Sequence, residues 1–170
     1  MLRRDPLANP EPLIRRVYAY VAYRVGHGPD AEDLTSETFE RALRYRKSYD
    51  PKKGEPVAWL LGIAKRCVDG RGPSVELSSE SIEERTTSDL EEETIRRLTV
   101  TGAVSALDER DRELIALRYG ADMTARQIAE LLGARTNAIE VALHRALGRL
   151  RATFDDEEEP ASVRKREASR

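Results

Sequence analysis

Residues 124–150, TARQIAELLGARTNAIEVALHRALGRL, have the spacing of a helix-turn-helix. In this motif the first helix needs a small residue at the crossing, the turn favours a glycine with left-handed backbone, and the second helix needs an aliphatic anchor. Ala129, Gly133 and Ile139 meet these requirements in order. Thr124 and Gln127 form a capping box at the start of the first helix. The stretch therefore predicts two packed helices.

The outer face of the second helix is polar, which favours DNA binding over a purely structural helix pair. Phosphate contacts supply most of the affinity for a duplex, and contacts to base edges supply discrimination. The side chains placed to contact phosphate are Arg126, Arg135, Arg145 and Arg149. Those placed to reach bases are Thr136, Asn137, Glu140 and His144. Asn pairs well with adenine and Glu with cytosine. Four cations make a weak clamp, so a second binding element is expected.

Composition points to small helical units. Hydrophobic residues make up 39% of the 170-residue chain, charged residues 35% and aromatic residues 5%. Every periodic segment has helical spacing, so we predict an all-α fold of two small helical domains joined by a flexible acidic linker. The single cysteine, Cys67, excludes an internal disulfide. The longest uncharged apolar run, residues 57–64, is too short for a membrane helix, and residues 1–12 lack the apolar stretch of a signal peptide, so a cytoplasmic protein is expected.

Charge divides the chain into blocks. Residues 1–72 carry 14 Lys and Arg against 10 Asp and Glu, residues 73–95 carry 1 against 8, and residues 96–151 carry 10 against 7. We therefore predict a helical domain over 10–72, a flexible acidic linker over 73–91, a helix-turn-helix domain over 92–152 and a disordered charged tail over 153–170.

Helix boundaries follow from capping residues and apolar stripes. The first helix has the stripe Leu13, Ile14, Val17, Val21 and Val25. Asp30 is predicted to cap a second helix reaching Arg46, whose buried face is Ala31, Leu34, Thr38, Ala42 and Tyr45. Ser88 and Glu91 make a capping box, Asp108 caps a helix to about Tyr119, and the last helix is predicted over 136–152.

One segment carries a specific family likeness. Residues 30–66, DAEDLTSETFERALRYRKSYDPKKGEPVAWLLGIAKR, resemble the second conserved region of bacterial sigma factors, most closely those of the extracytoplasmic-function (ECF) type. Residues 103–151, which contain LHRALGRL, resemble the fourth region of that family. The resemblance implies a sigma factor that binds core RNA polymerase and directs promoter recognition and melting, with an anti-sigma factor left open as a further partner.

The resemblance also assigns roles to residues. It implies that Asp30, Glu32, Asp33 and Glu37 form an acidic surface that docks on polymerase, although acids at a helix start also favour the helix dipole. It places the loop with Tyr49, Asp50, Lys52 and Lys53 against the melted promoter element, where an aromatic ring can stack on an extruded base. The alternative is a solvated turn. Lys65 and Arg66, followed by Arg71, extend a basic strip along the DNA strand.

Two departures from the family pattern lower the expected DNA affinity. Gly70, Gly72 and Pro73 end the third helix where the family continues with basic residues. Glu140, Ala142 and Leu147 stand where basic residues are common. The promoter sequence is therefore not predicted from the family.

Other functional classes fit less well. His27 and His144 have no nucleophile or metal-ligand partner near them in sequence, and no phosphate-binding glycine loop is present, so we predict no enzyme activity, no cofactor, no metal site and no small-molecule substrate. The alternatives are a stand-alone helix-turn-helix regulator and a protein-binding helical adaptor. The regulator would need a more basic recognition helix and a dimer surface.

Overall fold

The computed structural model describes residues 5–71 and 100–158, with side chains up to residue 154. Within these ranges the chain is all-α, as predicted. The first helical unit contains α1 (Pro10–Val25), α2 (Pro29–Arg44), a 3₁₀ turn (Arg46–Ser48) and α3 (Pro56–Asp69). The second helical unit contains α4 (described over 100–105), α5 (Glu109–Ile115), a π-helix (Ala116–Gly120), α6 (Ala125–Leu132) and α7 (Thr136–Glu158).

The first helical unit is a three-helix bundle. Each helix has a proline in its first turn, where the missing backbone N–H costs no hydrogen bond. The bundle buries the apolar stripe of α3 against α1 and α2, namely Val57, Leu60, Leu61, Ala64, Cys67 and Val68. The hydroxyls of Thr35 and Thr38 donate to the carbonyls of Ala31 and Leu34 at 2.7 Å, so these buried polar groups are paired. Burial of the apolar faces therefore stabilises the bundle without unpaired threonines.

The second helical unit contains the predicted helix-turn-helix. Thr124 and Gln127 form the capping box, and Gly133 ends α6 in the left-handed conformation with φ of 66°. The Asp108 side chain accepts a hydrogen bond from the Asp111 amide at 2.8 Å and caps α5. These local predictions are confirmed. A small core of Val104, Leu107, Ile115 and Ala146 holds α4, α5 and α7 together.

The two helical units share one larger hydrophobic core through α1. Leu117 and Met123, together with Ile128 of α6, lie in the same buried cluster as the residues of α1–α3. The π-helix packs so closely on α1 that a Cβ on Gly120 would lie 3.0 Å from the carbonyl oxygen of Ala19. At Gly120 the two units therefore meet backbone to backbone.

Polar contacts reinforce this interface at both ends of α1. Near its start, Arg16 donates to the carbonyls of Ala121 and Asp122 at 2.6 and 3.0 Å, just past the π-helix. These carbonyls would otherwise lack a helical partner, because the helix ends there. The guanidinium of Arg16 thus stabilises both the end of the π-helix and its position on α1.

Near the end of α1, Arg24 forms a buried ion-pair network. Its side chain is 5% exposed and pairs with Glu113 of α5, with Asp69 of α3 at 3.3 Å and with Glu109 at 3.4 Å. The Tyr20 hydroxyl donates to Glu113 at 3.0 Å. Burial raises the pKa of Tyr20 to about 12, so the phenol stays neutral and remains a donor. The network therefore joins α1, α3 and α5 by charge.

Two predictions about buried faces and one about a helix cap were wrong. Ile14 is exposed because the buried face of α1 is centred on Val17, Tyr20 and Arg24. Tyr45 is also exposed, because α2 ends at Arg44 and Tyr45 leaves the helical conformation. Asp30 is not the N-cap of α2; Gly28 takes that position, with Pro29 in the first turn.

The helix capped by Asp108 reaches Gly120, close to its predicted end, although it changes to a π-helix at Ala116. The length of α7 differs from the prediction, because α7 continues to Glu158, into the segment predicted to be a disordered tail. The predicted linker over 73–91 and the capping box of Ser88 with Glu91 lie outside the described residues. Residues 92–99 and the tail from residue 159 also lie outside the described residues.

The backbone contact at Gly120 gives a stability prediction. Gly120→Ala should lower the free energy of unfolding by about 1–3 kcal/mol, because the added methyl group forces α1 and the π-helix apart. Urea unfolding followed by circular dichroism measures this loss.

Gly148→Ala is the matched control, since a Cβ there meets nothing within 4 Å and α7 is helical at that position. It should stabilise the protein by about 0.5–1 kcal/mol. Equal effects of the two variants would contradict the close packing of α1 on the π-helix.

Candidate nucleic-acid and polymerase interfaces

The outer face of α2 combines acidic and apolar side chains. Glu32 and Asp33 are exposed in its first turns, Phe39 is half-buried, and Leu43 is 60% exposed near its end. Leu43 lies one turn after Phe39, and an exposed leucine next to a half-buried aromatic ring suits contact with a protein partner. Sequence reasoning missed Phe39 and Leu43, although both lie off the apolar stripe predicted for this helix.

The other two acids assigned to α2 are engaged within the fold. Asp30 pairs with Arg71 at 3.1 Å, and this contact ties the start of α2 to the end of α3. Glu37 pairs with Arg41 one turn further along the helix at 2.5 Å. Asp30 and Glu37 therefore support α2, and the exposed acidic edge consists of Glu32 and Asp33.

The loop between the 3₁₀ turn and α3 is shaped by its own residues. The Asp50 carboxylate accepts from the Lys52 amide at 3.0 Å, and Gly54 has φ of 144°, which favours glycine. The Tyr49 ring lies 5.5 Å from the Trp59 ring and is 8% exposed, and its hydroxyl donates to the Gly54 carbonyl at 3.1 Å. Lys52 is exposed on the loop. The loop thus presents its cations to solvent, while Tyr49 packs inward.

A cleft separates this loop from the helix-turn-helix. It has a volume of about 660 Å³ and brings Lys53 and Arg66 of the first helical unit opposite Arg126 of α6, with Tyr49 and Trp59 on its wall. Arg126 also pairs with Glu130 at 3.0 Å. The structure therefore brings five of the predicted DNA-contacting residues to one cleft, namely Tyr49, Asp50, Lys53, Arg66 and Arg126. Lys65 lies away from it and pairs with Asp69 at 2.7 Å.

The recognition helix α7 presents the remaining predicted residues. Arg135 precedes it, and Thr136, Asn137, Glu140, His144 and Arg145 are all exposed. The opposite face, with Ile139, Leu143 and Ala146, is buried. The exposed row is continuous along the helix, as an element that enters a DNA groove requires.

Arg149 differs from the other predicted phosphate contacts. It binds both carboxylate oxygens of Asp111 at 2.5 and 3.2 Å, and these hydrogen bonds raise the pKa of Arg149 above its ordinary value. Asp111 is almost completely buried. Arg149 therefore holds α7 on α5 by neutralising a buried carboxylate.

Other chemistry finds no site in the described residues. Residues 5–71 and 100–158 contain no group of three or more His, Cys, Asp or Glu positioned for a metal ion. Burial raises the pKa of the Cys67 thiol, which disfavours the reactive thiolate. None of the helices in these ranges has the length and hydropathy needed to cross a bilayer.

Comparison with known proteins identifies the family. Residues 11–68 match the Sigma-70 region 2 family and residues 97–150 match the Sigma-70 region 4 family. The chain is 30% identical over 136 residues to the ECF RNA polymerase sigma factor SigK of Mycobacterium sp. (strain KMS), covering 74% of this chain and 70% of SigK. The chain belongs to the ECF sigma factors. This sigma factor is also 31% identical over 150 residues to the ECF RNA polymerase sigma factor BldN of Streptomyces coelicolor, and spans 57% of the length of BldN.

Solved structures show the same fold for this sigma factor. RpoE of Bartonella quintana, in complex with the anti-sigma factor NepR, matches with a TM-score of 0.64 and 19% identity, over 84% of this chain and 92% of RpoE. CnrH, in complex with the cytosolic domain of CnrY, matches with a TM-score of 0.62 and 21% identity, over 87% of this chain and 83% of CnrH.

Substitutions of Arg145 and Arg149 on α7 should distinguish a structural arginine from one that is free to bind DNA. Arg149→Met should lower the urea midpoint of unfolding, because it leaves the buried Asp111 carboxylate without its bidentate partner. Arg145→Met, one turn earlier and exposed, should leave the midpoint nearly unchanged. The two midpoints, measured by circular dichroism, check this assignment. An unchanged midpoint in Arg149→Met would contradict the structural role and favour a phosphate contact for Arg149.

Proposed function

We propose that this chain binds core RNA polymerase and directs promoter recognition and melting in transcription initiation. The observation that carries the proposal is the presence of two different exposed faces, the acidic and apolar face of α2 and the polar face of α7, on one chain of the ECF family. We further propose that the chain itself catalyses no reaction, and that it acts in the cytoplasm, at the nucleoid.

The face of α2 is the proposed docking surface for polymerase. Leu43 supplies an exposed apolar side chain whose burial against a partner is favourable. Glu32 and Asp33 supply negative charge that steers encounter with a basic partner. Buried apolar contacts usually carry most of an interface's binding energy, whereas charges at its rim mainly set the association rate. We therefore assign most of the affinity for polymerase to Leu43 and Phe39.

The cleft and the loop are the proposed surface for the melted promoter element. Lys52, Lys53 and Arg66 supply positive charge along the path of a strand, while Trp59 offers a half-buried ring at the cleft wall. Since Tyr49 is packed inward, base stacking in this loop requires either Trp59 or a rearrangement of Tyr49. The duplex element is assigned to α7.

In this proposal, polymerase compensates for the low DNA affinity of the recognition helix α7. Arg135 and Arg145 are exposed, but Glu140 lies on the same surface and Arg149 is held by Asp111. Such a face gains affinity when a second contact holds it near DNA, because tethering raises its effective concentration. We therefore propose that 10–72 and 92–152 act as polymerase-bound modules, joined by 73–91. An anti-sigma factor is a further proposed partner.

Mobility-shift assays test the proposal with and without core RNA polymerase, on a promoter fragment first found by transcription from a genomic library. The free chain should shift the fragment poorly, and chain plus core enzyme should shift it strongly. Leu43→Arg should weaken binding to core enzyme roughly tenfold or more, because it places a charge in the apolar part of the docking face.

Ile14→Arg is the matched control, since Ile14 is also an exposed aliphatic residue but lies on α1. It should bind core enzyme like the unmodified chain. Equal DNA binding with and without polymerase would contradict the proposal and favour a stand-alone regulator.

A further inference from the structure

The exposed face of α7 contains an apolar residue among its polar neighbours. Val141 is 43% exposed and lies one turn after Asn137 and one turn before Arg145. Its helical spacing also places it beside His144, with Gly148 two turns further along the same side of the helix. Val141 therefore lies on the exposed face of α7, next to the residues predicted to reach bases, and it does not belong to the buried side formed by Ile139 and Leu143.

The neighbours of Val141 leave room for close approach of a ligand. A Cβ on Gly148 would meet nothing within 4 Å, and Ala138 at the helix start is small and exposed. Arg135 and Arg145 flank the row with positive charge, which complements the phosphates on either side of a groove. Charge and shape together fit the major groove of duplex DNA.

The chemistry of the groove restricts what Val141 can contact. A branched aliphatic side chain offers no donor or acceptor, so it gains nothing from the polar edges of guanine, cytosine or adenine. The methyl group at C5 of thymine is the apolar group of the major groove. We propose that Val141 reads a thymine methyl group in the duplex promoter element, next to the base pair contacted by Asn137. This inference rests on the proposed function.

The assignment complements the polar contacts of the same face. Asn137 forms paired hydrogen bonds best with adenine, and Glu140 accepts best from cytosine. Val141 adds a preference that depends on shape and burial instead of hydrogen bonding. A recognition helix with few cations thus gains discrimination from an apolar contact, which is also insensitive to salt.

Thymine-to-uracil substitution tests the contact, because it removes only the C5 methyl group and keeps base pairing. Holoenzyme, formed from the full chain and core polymerase, first selects its duplex element from a random library. Each thymine of that element is then replaced in turn. At one position uracil should weaken binding about fourfold, as expected for losing one buried methyl group.

Val141→Ala should bind thymine and uracil equally at that position. His144→Ala is the matched control on the same face, and should keep the fourfold preference whatever its overall affinity. No uracil-sensitive position, or an unchanged preference in Val141→Ala, would overturn the inference while leaving the proposed function in place. Holoenzyme that selects no sequence at all would overturn the proposed function and the inference together.

Discussion

The positive charge of Arg24 is buried between α1, α3 and α5, where Glu113, Asp69 and Glu109 neutralise it. Removing either partner of a buried ion pair is typically costly, because the remaining charge stays in a medium that solvates it poorly. Because Glu113 and Glu109 belong to α5, the charge of Arg24 stays neutralised only while the second helical unit is packed on α1. The close contact at Gly120 and the hydrogen bonds of Arg16 hold the same interface at other points.

The interface between α1 and the second helical unit fixes the orientation of the two proposed binding faces, on α2 and α7. Because α1 joins the two helical units through its buried side, the outer faces of α2 and α7 are left exposed. The loop before α3 and the start of α6 then line one cleft, with cations from both units. The shared core therefore carries the proposed polymerase-binding and DNA-binding surfaces on different sides.

Local patterns predicted much of this fold, and long-range contacts limited the rest. The capping box at Thr124 and the left-handed Gly133 depend on neighbours within a few residues, so the sequence alone could locate them. The burial of Arg24 could not be predicted in this way, because its partner Glu113 lies on a helix far along the chain. The same holds for Arg149, whose bidentate contact with Asp111 spans 38 residues. Val141 and Leu43 can be recognised in the sequence as apolar residues that lie off the buried stripes of their helices. Only the packed structure shows that their side chains are exposed.

Equilibrium unfolding in urea, followed by two probes on the same samples, tests most directly whether α1 joins the chain into one cooperative unit. Fluorescence of Trp59 reports on α3, and far-ultraviolet circular dichroism reports on all helices. The two transitions should coincide in the unmodified chain. In Arg24→Met both should move together to lower urea concentration, with a loss of about 3 kcal/mol in the free energy of unfolding. Separate transitions in the unmodified chain, or a shift confined to one probe, would contradict a shared core held by Arg24.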